Sequence, residues 1–131
     1  MIKFKDIQQA QRLLQKLIDP SPLIRSFHLS EVTGLEIHLK LENLQRTGSF
    51  KIRGAYIKIG SLSEEERKKG VFTASAGNHG QGVAFAASLY GVESLIVMPE
   101  KCPLNKISAV KAAGGRRRRG RLCGQFAFPR R

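Results

Sequence analysis

Val71-Phe72-Thr73-Ala74-Ser75-Ala76-Gly77-Asn78-His79-Gly80-Gln81-Gly82 is the stretch that decides the fold. Its first four residues form a short apolar strand. Asn78 to Gly82 reads as a turn, and a helix of small residues follows over 83–90. Gly91 suits the left-handed end of that helix. Leu95-Ile96-Val97-Met98 is then a continuous apolar run, as expected of a strand covered on both faces. Pro99 ends it. Pro103 sits where another helix can begin, and that helix runs over 105–113 to Gly114-Gly115. Strand, helix, strand, helix argues for an α/β fold with a parallel sheet and crossover helices.

Upstream the signals are mixed. Ile7, Ala10, Leu13, Leu14 and Leu17 fall at helical spacing, which predicts a helix over 6–18. Asp19-Pro20-Ser21-Pro22 stops it. A short helix over 29–33 ends at Gly34. Residues 36–42 alternate polar and apolar, the period of a strand with one covered face. Residues 49–59 read as a helix with Ser49 as its N-cap. Ser63, three before Glu66, starts a further short helix with a capping box, and Gly70 ends it.

Downstream the pattern breaks. A third parallel strand is due after Gly115, but the chain reads Arg116-Arg117-Arg118-Arg119-Gly120-Arg121. Four arginines cannot form a strand buried on both faces, because each charge would leave water unpaired. The whole chain of 131 residues carries 23 Lys and Arg against 10 Asp and Glu, net +13. Seven arginines and no acid lie in residues 116–131. The first 115 residues therefore carry +6 and the last 16 carry +7. Such a tail suits a basic module that binds nucleic acid non-specifically, or a disordered, self-repelling end. Cys102 and Cys123 are too few for a zinc site or a disulfide framework, so no metal is expected. No apolar run is long enough to span a membrane, and the start lacks the apolar run of a signal peptide. The expectation is a soluble, cytoplasmic protein.

Two segments could carry chemistry. Lys51 lies in the first turn of the helix begun by Ser49. The positive end of a helix disfavours an ammonium, and Phe50 beside it adds desolvation. A lysine held neutral is what a Schiff-base nucleophile needs. The competing reading is one more solvent-facing lysine among 11. Ser75 to Gly82 lies between a strand and a helix, where backbone N–H groups converge on an anion. Its glycines follow G-x-x-G-x-G, which is neither a dinucleotide fingerprint nor a P-loop. Asn78 and His79 stand at the carboxyl end of a strand, where open α/β sheets bind ligands. The competing reading is that the glycines serve packing alone.

Leu39-Lys40-Leu41-Glu42-Asn43-Leu44-Gln45-Arg46-Thr47-Gly48-Ser49-Phe50-Lys51-Ile52-Arg53-Gly54-Ala55, together with Ser75 to Gly82, closely resembles the threonine dehydratases (threonine ammonia-lyases). These belong to the tryptophan-synthase-β-like, fold type II pyridoxal-phosphate enzymes. The resemblance runs over residues 6–114. It implies a lyase of amino-acid metabolism, in the direction of isoleucine biosynthesis. Its cofactor is pyridoxal 5'-phosphate, and its reaction takes threonine to 2-oxobutanoate and ammonia. By resemblance, Lys51 forms the Schiff base and moves protons at Cα. Phe50 packs on a face of the pyridine ring, and Asn78 hydrogen-bonds the phenolic oxygen. Ser75, Ala76, Gly77, Asn78 and His79 receive the substrate carboxylate. Serine dehydratase and serine racemase are the alternatives within the same family, with serine as substrate. A homo-oligomer is implied for the full-length enzymes.

The resemblance also implies an incomplete architecture. Residues 1–53 would belong to the large cofactor domain and 54–114 to a small α/β domain, with 115–131 a basic tail foreign to the family. Gly80 stands where alanine is common. The glycine-rich loop that cradles the cofactor phosphate, and the hydroxyl facing the pyridine nitrogen, have no counterpart here. The expectation is a truncated chain, its end read in a shifted frame, with little activity alone.

Overall fold

The computed structural model describes residues 1–119; residues 120–131 of the tail expected over 115–131 lie outside them. Helix α1 (Phe4–Leu14) is followed by β1 (Leu23–Arg25), α2 (Phe27–Thr33) and β2 (His38–Lys40). A 3-10 turn at Glu42–Leu44 leads to α3 (Lys51–Gly60) and α4 (Glu64–Lys68). Then β3 (Val71–Ala74), α5 (Asn78–Leu89), β4 (Ser94–Met98), α6 (Leu104–Ala112) and β5 (Arg116–Arg119) alternate. The three last strands form a parallel sheet in the order β3-β4-β5. The predicted α/β class and the crossover helices are therefore present.

Several boundaries differ from expectation, each for a local reason. Helix α1 starts at Phe4 because the Asp6 carboxylate accepts the Lys3 N–H at 2.8 Å. It ends at Leu14, where the Leu17 N–H turns back to the Leu14 carbonyl at 2.9 Å. Strand β2 has three residues rather than seven, since β1, between Pro22 and α2, offers only three partners. Its expected covered face is not covered: all three residues are exposed. The capping box at Ser63 forms as read, with Ser63 N–H donating to Glu66 at 2.8 Å and Glu66 N–H to Ser63 Oγ at 3.2 Å.

The core is drawn mainly from residues 52–110. Ile52, Ile96, Met98 and Val110 are completely buried. Each such side chain contributes roughly 1.5–3 kcal/mol. Ala84, Ala86 and Ala87 let α5 lie close to its neighbours. On β4 the burial alternates: Ser94, Ile96 and Met98 are buried, whereas Leu95 and Val97 are half-buried. The expectation of two covered faces is thus corrected. Helices α5 and α6 touch each other, as the right-handed rule for successive crossovers in one direction requires of helices on the same face.

The arginines also correct the sequence reading. Arg116–Arg119 pair in parallel with β4, Leu95 to Arg116 through Met98 to Arg119. The pairing itself asks only that the β5 backbone meet β4, its one strand neighbour among the described residues. Arg116 is exposed and pairs with Glu93 at 3.1 Å, so its charge stays hydrated. The basic tail set at 115–131 thus begins inside a strand. Gly115 makes the entry possible: a Cβ there would lie 2.8 Å from Ala84 Cβ and 3.0 Å from Val110 Cγ1.

Residues 1–50 pack differently. Phe4, Ile7, Leu23, Phe27, Val32 and Leu35 are all exposed. Among the described residues no helix is long and apolar enough to cross a membrane.

Candidate functional site

Lys51 is the first residue of α3, with Phe50 rather than Ser49 at the cap position. The Ser49 hydroxyl is buried and accepts the Lys51 N–H at 3.4 Å. Ser49 is displaced from the cap by one residue because Phe50 already has helical dihedral angles. The Lys51 ammonium is exposed and lies 5.1 Å from the centre of the Phe50 ring. Phe50 is itself 57% exposed. The desolvation expected from Phe50 is therefore not made; ring and ammonium form one open face.

Helix α3 is set against α5 by a glycine. A Cβ on Gly82 would meet the Lys51 carbonyl carbon at 3.1 Å and the Ile52 nitrogen at 3.2 Å. The absence of a side chain lets the first turn of α3 lie directly on α5. The packing reading of this glycine and the site reading thus coincide: Gly82 joins the two predicted segments.

The Ser75 loop follows β3 at its carboxyl end. Asn78 to Gly82, expected as a turn, is instead the first turn of α5. Ser75 makes this possible, because its Oγ accepts the N–H of Gly77 at 3.3 Å and of Gly80 at 3.1 Å. Two N-terminal donors are satisfied by one hydroxyl. Ala76, Asn78 and His79 are exposed around it. The Ala76 carbonyl accepts from the Cys102 thiol at 3.6 Å, and the Asn78 Oδ1 accepts from Lys106 Nζ at 3.2 Å. His79 borders a cleft of about 620 Å³ between α3, α4 and β3.

The sequence did not single out Glu42 and Arg53. Arg53 Nε and Nη2 donate to the two Glu42 oxygens at 2.9 and 2.7 Å. Ser21 Oγ donates to the same carboxylate at 2.5 Å, and Lys40 Nζ to the Ser21 carbonyl at 2.6 Å. The Arg53 hydrogen bonds, then that of Ser21, hold the Glu42 carboxyl down at about 2. Arg53 is raised in turn by Glu42. This clamp spans the loop that delivers Lys51. Both residues lie within the quoted motif, but their separation of 11 carries no periodic signal. Lys106 and Cys102, which reach the loop from beyond β4, carry none either.

Pyridoxal phosphate needs an amine for its aldehyde, a flat apolar surface and donors for its phenolic oxygen. Lys51, the Phe50 ring and the Asn78 amide fit these needs. Comparison with known proteins agrees with that chemistry. Residues 14–119 match the family described as pyridoxal-phosphate dependent enzyme. An L-threonine ammonia-lyase of Thermotoga maritima is 59% identical over 114 residues, covering 87% of this chain and 28% of that protein. The serine racemase structure from Dictyostelium discoideum superposes with a TM-score of 0.84 at 39% identity, covering 93% of this chain and 40% of that one. The threonine deaminase isoform 2 structure from Solanum lycopersicum gives 0.73 at 40% identity, over 91% and 36%. The chain spans less than a third of the length of its Thermotoga relative. With the family matched across most of the chain up to β5, and Lys51 and the Ser75 loop held together by Gly82, the chain belongs to the pyridoxal-phosphate dependent enzymes of fold type II.

Proposed function

We propose that this chain carries the lysine and the carboxylate loop of an L-threonine ammonia-lyase, which converts threonine to 2-oxobutanoate and ammonia. The observation that carries the reading is the contact of Gly82 with the Lys51 backbone, which unites both segments. The identity to a protein named L-threonine ammonia-lyase supports threonine as substrate. Bound pyridoxal phosphate supplies the electron sink that makes a Cα proton removable. Lys51 Nζ is the amine for the cofactor aldehyde and the group that moves the Cα proton. Phe50 offers its ring face, and Asn78 donates to the phenolic oxygen.

The loop divides its donors. Gly77 N–H is directed to Ser75 Oγ, so it is spent within the loop. The substrate carboxylate is received by the N–H groups of Ala76, Asn78 and His79, and by the Ser75 hydroxyl proton. The positive end of α5 favours the anion there. Division of the chain at residue 53 is supported by a hydrophobic core cluster drawn wholly from 55–110. Residues 1–53, where Phe4, Ile7, Leu23, Phe27, Val32 and Leu35 are exposed, are then part of a larger domain.

Serine racemization is the second reading, favoured by the TM-score of 0.84. Mixing the chain with pyridoxal phosphate tests the core of both. A visible absorption band that disappears in Lys51→Ala supports the reading; a band of equal strength in that variant refutes it. Release of 2-oxobutanoate from threonine, against D-serine from L-serine, separates the two activities.

A further inference from the structure

Asn78 and Lys106 meet across the sheet's carboxyl end, 28 residues apart in sequence. Lys106 Nζ donates to Asn78 Oδ1 at 3.2 Å. Lys106 lies in the first turn of α6 and Asn78 in the first turn of α5. Both helix starts are positive. Among the described residues no carboxylate pairs with this lysine within 4.0 Å. A solvated ammonium gains little from such a place by itself.

Donor chemistry gives the contact its meaning. An ammonium has three donors and no acceptor, whereas a carboxamide has one of each kind of group. The atom of Asn78 facing Lys106 must therefore be its carbonyl oxygen. The NH2 group then points away from Lys106 and is left to donate elsewhere. Without Lys106, the amide could turn over and present an acceptor instead. The base of this arrangement is fixed independently: buried Cys102, in the segment just before α6, donates to the Ala76 carbonyl two residues before Asn78.

We infer that Lys106 is a positioning residue that holds the Asn78 amide with its NH2 group presented to the ligand site. The inference rests on the proposed role of Asn78 as a donor to the cofactor. It concerns which way one amide faces, and it assigns Lys106 no contact with substrate or cofactor.

The chain has three asparagines, Asn43, Asn78 and Asn105, so asparagine-selective nitrogen-15 labelling of the whole chain resolves the group directly. In the unliganded chain, the Asn78 side-chain amide should be more restrained by heteronuclear NOE than that of exposed Asn43. In Lys106→Met the two should become alike, and in Lys106→Arg the restraint should return. Backbone amide spectra establish that each variant is folded. Equal mobility in the wild type, or no change in Lys106→Met, overturns the inference. Pyridoxal phosphate titrated into the wild type should move the Asn78 amide signals, with about tenfold weaker affinity in Lys106→Met. Unchanged affinity in that variant also overturns the inference. Restraint that is present, with no movement on adding the cofactor, overturns instead the assignment of Asn78 as a cofactor donor.

Discussion

Replacing Arg53 by methionine removes the guanidinium from the carboxylate that braces the lysine loop. Glu42 titrates at about 2 in the folded chain, against an ordinary 4.5. That gap, at 1.36 kcal/mol per pH unit, corresponds to about 3 kcal/mol of linkage. Glu42 is 17% exposed, so solvent screening leaves most of it intact. Ser21 and Lys40 supply a share, and Arg53 the largest part. Arg53→Met should therefore cost about 2–3 kcal/mol at neutral pH. Because the folded value is the lower one, the contribution is full above pH 4.5 and is lost as pH falls toward 2. Urea unfolding followed by circular dichroism, at neutral pH and at several values below pH 4.5, reads both effects. The variant should start less stable and lose less on acidification. An unchanged midpoint at neutral pH, together with an unchanged acid slope, would refute the clamp. Glu42→Gln provides the reciprocal case, with the acid slope flattened from the other partner.

Three further outcomes can be checked. Gly82→Ala gains about 1 kcal/mol of helix propensity, but its Cβ meets the backbone of Lys51 at 3.1 Å; thermal melting should change little while pyridoxal phosphate absorbance weakens. Gly115→Ala places a Cβ 2.8 Å from Ala84 Cβ, which should cost about 1–3 kcal/mol and speed hydrogen exchange of the β5 amides. Tyr90 is pushed up to about 12, first by burial and then by the Tyr56 hydroxyl. An ultraviolet titration of Tyr56→Phe, which leaves Tyr90 as its single tyrosine, should show phenolate forming above the ordinary value of 10. Here the folded value is the higher one, so this contribution to stability is present below pH 10 and lost as pH rises toward 12.

Most of the fold was legible because its signals are local. Val71 to Ala74, the Ser63 capping box and the Pro103 helix start each depend on a few adjacent residues, and each forms as read. Errors arose where a distant partner decides the outcome. The start of α5 moves back to Asn78 through the Ser75 hydroxyl, a bond that small-residue periodicity does not announce. The site was legible as two motifs, yet their meeting depends on the close approach at Gly82 that only tertiary packing defines. Lys106 and the Glu42–Arg53 pair were silent because separations of 28 and 11 residues match no helical or strand repeat.

The arginine run shows how a sound physical rule can be applied to the wrong position. Unpaired charge is indeed excluded from a strand buried on both faces. At Arg116 the rule does not apply, because that side chain is exposed. Among the described residues β4 is the central strand and takes the apolar run, and β5 has β4 as its one strand neighbour. There the backbone can complete its ladder with β4 while Arg116 reaches Glu93 in solvent. Strand formation here is thus set by Gly115, which lets the chain pass Ala84 and Val110, more than by the β-propensity of the arginines themselves. The same logic applies at the other end of the packed unit. Lys51 comes directly after Phe50, which is exposed, and precedes Ile52, which is completely buried. Its backbone is therefore fixed from one side by α5, while its ammonium is exposed and lies over the Phe50 ring.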